Sequence, residues 1–249
     1  ARRNRVAAAG SRERPRRARA IRHVRSDRVV CVVPAFNAEP TIATVVSGVR
    51  ATIPRAFITV VDDGSDDGTY DAARPVADVT VRLGRNCGKG AALRAGFRVA
   101  AERRADVVVT IDADGQHDPR YAPALLEALS NADVAIGSRT RCGSMPAGRR
   151  LTNRLSAAVV AHCIGREVAD AQSGFRAMRS HLIDQVRPRG DRYEFETEFL
   201  ILAGRLGARI TFVPIPTIYA ANVPSHFRPV RDSARIVTTL WRFGMGAKH

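Results

Sequence analysis

Short apolar runs rich in β-branched residues alternate along this chain with longer segments whose apolar positions recur at helical spacing. Residues 29–33 form the first run, ended by Pro34, and 41–51 follow as a predicted helix. Residues 57–61 read as a strand closed by Asp62, Asp63 and Gly64; a helix over about 67–76 then leads to a short strand at 79–83. Ala, Leu and Phe fall at helical spacing over 88–101, and 107–111 is a strongly apolar strand ending at Asp112. A helix at 121–129 and a strand at 134–136 complete this half. Such alternation predicts an α/β domain, a mostly parallel central sheet with helices on both faces. Ligands of such sheets sit beyond the carboxyl ends of the strands. The polar clusters 34–39, 62–67, 112–116 and 138–141 all fall there.

The pattern changes from about residue 142. A loop at 143–148 precedes a helix over 149–164 with small residues on one face, then a short strand at 173–178. A helix at 196–206 is followed by a strand at 210–213, stopped by Pro214 and Pro216. The closing segment 230–243 sets Ile236, Val237, Leu240, Trp241 and Phe243 near one face, flanked by Arg231, Arg235 and Arg242. Such a stretch can lie on a bilayer or pack on the domain's own core. The chain therefore divides into a basic tail (1–28), a body of two halves (29–140 and 141–229) and a C-terminal amphipathic helix (230–249).

A length of 249 residues fits one α/β domain or two small ones. The 40 Lys and Arg against 24 Asp and Glu leave a net charge of +16, which invites a nucleic-acid partner. The charge is uneven: residues 1–28 hold eleven Arg against one Glu and one Asp, a net of +9. The body is only moderately cationic. The tail reads as a disordered, solvated extension, or as a contact for anionic lipid at about 1 kcal/mol per basic residue. An apolar content of 45% excludes a wholly disordered chain. No apolar run approaches the roughly 18 residues of a membrane span. Cys31, Cys87, Cys142 and Cys163 are scattered without a CxxC pair, as expected of reduced packing residues. Residues 1–28 lack the apolar core of a secretory signal. These features predict a cytoplasmic protein, with peripheral contact at the membrane face as a further option.

The chemistry concentrates in acidic strand ends. Asp112 and Asp114, at i and i+2 past an apolar strand, can converge on one divalent cation, and Gln116 can add a carbonyl oxygen. Hard oxygen ligands suit Mg2+ or Mn2+, ions that usually also bind substrate phosphates. A turn built on local Asp hydrogen bonds is the alternative. Asp62 and Asp63 end a second strand, where carboxylates suit ribose hydroxyls or base N–H groups. Lys89, in Asn86-Cys87-Gly88-Lys89-Gly90-Ala91-Ala92, opens a helix and suits a phosphate. The glycines there also suit tight packing. This run is not a P-loop, and the chain lacks the GxGxxG of a dinucleotide fold.

Together and in this order, these elements resemble the family 2 glycosyltransferases of the GT-A (nucleotide-diphospho-sugar transferase) fold. The matching runs are VPAFN at 33–37, VDDGS at 61–65, NCGKGAA at 86–92 and DADGQH at 112–117. GSR at 137–139, DAQSGFR at 170–176, YEFETE at 193–198 and SHFRPVRD at 225–232 continue the series. The branch they resemble holds the dolichyl- and polyprenyl-phosphate mannosyl- and glucosyltransferases. The resemblance implies that Pro34, Ala35, Asn37 and Glu39 frame the base of a GDP- or UDP-sugar donor, with Asp62 and Asp63 at base and ribose. It implies that Asp112, Asp114 and Gln116 hold the Mg2+ or Mn2+ on the donor diphosphate, and that Glu198 lies close to the reaction centre. Arg139, Ser173, Arg176, Ser225, His226 and Arg228 would meet the acceptor or phosphates. Two departures stand out: Ala38 replaces the usual acidic residue after Asn37, and His226 stands where a Lys is common. A polyprenyl-phosphate acceptor needs Arg to hold it but no general base. A soluble glycan or other hydroxyl acceptor would need one, from Glu196 or Glu198. Phosphate on a sugar donor and a lipid carrier is thus the expected partner, not a specific nucleic acid.

Overall fold

Every residue of the first strand, β1 (Val29–Ala35), is buried, because successive side chains enter two different cores. Val29, Cys31, Val33 and Ala35 join one cluster, and Val30 and Val32 join the other. A continuous apolar run is what a strand covered on both faces requires. The structure is a computed structural model that describes residues 28–139, 147–216 and 218.

After β1 come α1 (Glu39–Thr52), β2 (Phe57–Asp62), α2 (Thr69–Ala73), β3 (Val79–Arg82), α3 (Lys89–Glu102) and β4 (Val107–Thr110). A 3-10 turn (Pro119–Tyr121) leads into α4 (Ala122–Ala128) and β5 (Val134–Arg139). The second half holds α5 (Ala147–Ile164), β6 (Arg176–Arg179), α6 (Ser180–Gln185), α7 (Glu194–Arg205) and β7 (Ile210–Ile215). One seven-stranded sheet runs β3-β2-β1-β4-β6-β5-β7. All pairings are parallel except those of β6, which runs antiparallel to both β4 and β5. Helices α1, α2 and α4 supply the core on one face; α3, α5, α6 and α7 supply it on the other. This is the α/β architecture that the alternating pattern predicts.

Several boundaries differ from the sequence expectation, each for a local reason. The helix expected over 67–76 shrinks to α2, because the Asp67 carboxylate leaves the helix and accepts from Thr69 N at 3.0 Å. The strand expected at 173–178 starts only at Arg176, and the short helix α6 adds to the expected elements. Pro214 does not stop β7. That strand pairs only with β5, so it is an edge strand, and every second backbone nitrogen faces away from the ladder, where a proline is tolerated. Pro34 is similar: it lies beyond Val32↔Thr110, the last rung between β1 and β4. Among the described residues, no helix is long and apolar enough to cross a membrane. The tail at 1–27 and the amphipathic stretch 230–249 lie outside the described residues.

Candidate active site

The carboxyl ends of β1, β2 and β4 open on the same edge, and hydrogen bonds weld their loops into one cradle. Asn37 N donates to Ser65 Oγ (2.9 Å), and Asp66 N donates back to Asn37 Oδ1 (3.0 Å). Ala38 N donates to Thr69 Oγ1 (2.7 Å), and Gly68 N to Glu39 Oε2 (3.0 Å). Asn37 takes a positive φ of 49°, a strained conformation that Asn tolerates better than most residues. Asn37 and Glu39 thus brace the 65–69 loop, while Pro34 and Ala35 are buried at the end of β1. Asp62 is fully buried; it accepts from Ser65 N (3.0 Å) and Ser65 Oγ, and Arg82 Nε lies 3.3 Å from its other oxygen. Asp63 accepts from Cys87 N (2.8 Å) and Gly88 N (2.7 Å), which ties β2 to the start of α3. Burial is the largest influence on Asp63 and raises its pKa above the ordinary carboxylate value, against the pull of those two amides.

At the end of β4, Thr41 Oγ1 donates to Ala113 O (2.7 Å) and Gln116 N to Asp114 Oδ1 (3.0 Å), which fixes the Asp112–Gln116 turn. Gln116 O in turn accepts from Ile218 N at 3.0 Å. The Asp112 carboxylate sits directly against Gly174, where any Cβ would overlap it. Thr110 Oγ1 holds that neighbour by donating to Gly174 O at 2.8 Å. Lys89 reaches in from the first position of α3 and places Nζ 2.6 Å from Asp112 Oδ1 and 2.9 Å from Glu196 Oε1. Burial, the largest influence, opposes ionisation of Asp112. Lys89, His117 and Arg139 together outweigh it and hold the carboxyl below its usual pKa. Burial likewise disfavours the Lys89 ammonium, but Asp112 and Glu196 reverse this and raise its pKa. His117 is buried with Nδ1 unpartnered and Nε2 3.8 Å from Asp112 Oδ2; burial, then the cations Arg139 and Lys89, lower its pKa to about 4 against the pull of Asp112.

A further ion pair joins the two halves of the body. Arg139, the last residue of β5, donates through Nε to Asp170 Oδ2 at 2.7 Å and through Nη2 to Asp170 Oδ1 at 3.1 Å. Three residues expected at or near the ligand are engaged in holding backbone instead. Arg176 is 3% exposed and donates to three backbone carbonyls, those of Ser173 (2.7 Å), Ala171 (2.9 Å) and Glu196 (3.0 Å). It supports the wall behind the site, because a buried guanidinium must satisfy its donors locally. Ser173 is fully buried beside it and accepts from Phe175 N at 3.4 Å. Glu198 accepts from Arg189 N (2.6 Å) and Gly190 N (3.0 Å), so it anchors a loop. The carboxylate of α7 that reaches the cluster is Glu196: two helical residues apart point in different directions. Sequence reasoning does not mark Asp170 or His117, although both sit inside the quoted motifs. Ser225, His226 and Arg228 lie outside the described residues.

Two carboxylates, Asp112 and Asp114, stand two residues apart at the strand end, and a cation already rests 2.6 Å from Asp112. Hard oxygens with room for a positive charge fit a divalent ion of the Mg2+ or Mn2+ type. Among the described residues, no three His, Cys, Asp or Glu side chains form a ready-made metal shell. A mostly parallel sheet with basic and acidic side chains at its carboxyl edge is an arrangement that suits a phosphorylated ligand. Residues 30–187 match Glycosyl transferase family 2. The chain belongs to this family: it is a hexosyltransferase with the GT-A fold. It is 34% identical over 202 residues to an undecaprenyl-phosphate mannosyltransferase of Micrococcus luteus, covering 76% of this chain and 82% of the relative. It is 30% identical over 218 residues to a UDP-N-acetylglucosamine–dolichyl-phosphate N-acetylglucosaminyltransferase of Methanococcus voltae, covering 77% and 86%. Among solved structures, glucosyl-3-phosphoglycerate synthase of Mycobacterium tuberculosis in complex with Mn2+, UDP and phosphoglyceric acid superposes with a TM-score of 0.69 at 24% identity, covering 86% and 78%.

Proposed function

We propose that the chain transfers a hexose from a GDP- or UDP-sugar to a polyprenyl phosphate, with inversion and with help from a divalent metal. The observation that carries this reading is the ionised Asp112 at the end of β4, grouped with Lys89, Glu196, His117 and Arg139 in one half-buried cluster. The mannosyl- and N-acetylglucosaminyltransferase relatives, named for undecaprenyl and dolichyl phosphates, support the acceptor class.

The residues divide the work as follows. Pro34, Ala35, Asn37 and Glu39 would frame the nucleoside, on loops that buried Asp62 and Asp63 hold in place through Ser65, Cys87 and Gly88. Asp112 and Asp114, with Gln116 beside them, would hold Mg2+ or Mn2+, which would neutralise charge on the departing diphosphate. Arg139, kept rigid by Asp170, faces the same space and suits a phosphate oxygen. One acceptor phosphate oxygen attacks the sugar C1, the C1–O bond to the nucleoside diphosphate breaks, and its electron pair leaves with the diphosphate. No proton moves, so no general base is required. Glu196 then serves as a charge partner of Lys89, through Oε1 at 2.9 Å.

Incubation of the folded chain with Mn2+, labelled UDP- and GDP-sugars and undecaprenyl phosphate tests this reading. Transfer of label to the lipid supports it. Transfer only to a soluble glycan or small-molecule hydroxyl would replace the acceptor assignment.

A further inference from the structure

The Lys89 side chain is 16% exposed, and Nζ lies between carboxylates of two different elements, Asp112 after β4 and Glu196 in the first turn of α7. The Tyr193 ring closes a third side, 5.9 Å from Nζ. Removal of the ammonium would leave Asp112 and Glu196 without the cation that bridges them. The backbone of Lys89 cannot readily move. Gly90 N donates to Asp191 O at 2.7 Å and Ala91 N to the same oxygen at 3.2 Å, and a Cβ at Gly88 or Gly90 would strike the 190–191 backbone. Arg94 grips the same loop through Gly190 O (2.8 Å) and Asp191, while Glu198 holds Arg189 N and Gly190 N from beneath. Any displacement must therefore come from rotation about the four side-chain bonds of Lys89.

We propose that Lys89 is a positioning residue that holds the metal's place on Asp112 in the unloaded enzyme and gives it up when a divalent ion arrives, remaining on Glu196. This rests on the metal-dependent reading above. A divalent ion must approach a carboxylate oxygen to about 2.0–2.2 Å, and an ammonium already bound at 2.6 Å excludes it from that oxygen. Once off Asp112, the ammonium stays beside Glu196, where it faces the anionic donor. Metal and donor binding are coupled as a result: the ion frees a cation for the diphosphate, and the diphosphate gives that cation a new partner. Asp112 also feels His117, whose Nε2 is 3.8 Å away, and the charge of Arg139, so Lys89 is its closest cation among the ion pairs described.

The composition of the chain makes the exchange observable. Lys89 and Lys248 are its only lysines, so the full chain carrying Lys248→Arg and labelled with 15N-lysine reports a single side-chain ammonium. Without metal, that signal should be slowly exchanging and sharp. Saturating Mg2+ should move it and increase its solvent exchange, and Asp112→Asn should reproduce the moved position without metal. In parallel, Mn2+ binding followed by electron paramagnetic resonance should tighten at least tenfold in Lys89→Met. Mn2+ binding with an unmoved Lys89 signal overturns the proposal alone. Absence of Mn2+ binding in both chains, with and without UDP, overturns the metal-dependent reading and the proposal with it.

Discussion

Arg139 and Asp170 form a two-point ion pair, 2.7 and 3.1 Å, whose carboxylate is 1% exposed and whose guanidinium side chain is 15% exposed. Burial alone would raise the Asp170 pKa; the Arg139 charge and hydrogen bonds, with the Gln172 and Arg139 amides, reverse this and hold it below the usual value. Because its folded pKa is depressed, the pair's contribution is present above the unfolded value near 3.9 and is lost as pH falls through the folded value. Asp170→Asn should therefore cost about 3 kcal/mol at neutral pH, measured by urea unfolding. The gap from the wild-type chain should narrow below about pH 4. A gap that persists unchanged at low pH would assign the loss to packing.

Asp114 is half-buried in the turn after β4, where it accepts from Gln116 N and would join the proposed metal site. Asp114→Ala should lower metal-dependent turnover by about a hundredfold or more while leaving the unfolding midpoint within a degree or two. Near-normal turnover would remove Asp114 from the metal site.

Glu198 is assigned to the loop that clamps α3, not to the chemistry. Glu198→Ala leaves two amides without an acceptor and should destabilise by about 1–3 kcal/mol. Glu198→Gln keeps one acceptor oxygen and should retain most stability and turnover. A loss of kcat beyond tenfold in a fully stable Glu198→Gln chain would return Glu198 to the reacting centre.

Gly174 has no space for a side chain, since a Cβ there meets the Asp112 carboxylate. Gly174→Ala should push Asp112 aside and weaken Mn2+ binding at least tenfold, measured by electron paramagnetic resonance. Unchanged affinity would show that Asp112 does not depend on that contact.

The strands were legible because β1 and β4 are buried on both faces, and such strands carry an unbroken β-branched run. The acidic strand ends were legible because Asp62, Asp63, Asp112 and Asp114 all follow such runs. What the sequence did not disclose was which partner each charge would find. Glu196 and Glu198 lie two residues apart on one helix, and only the direction of α7 against α3 decides that Glu196 meets Lys89. Arg176 reads as a phosphate ligand in a motif, yet β6 runs antiparallel between β4 and β5 and carries its guanidinium into the interior. Asp170 gains its importance from Arg139, thirty-one residues earlier in the chain. Long-range pairings of this kind depend on tertiary approach and leave no local periodicity to read.

The central claim is metal-dependent transfer to a phosphate that needs no general base. The most direct measurement compares undecaprenyl phosphate with undecaprenol as acceptors of labelled sugar, each with Mn2+ and with a chelator. Labelled lipid should form only with the phosphate and only with metal. Equal transfer to the alcohol, or undiminished transfer in the chelator, would contradict the account.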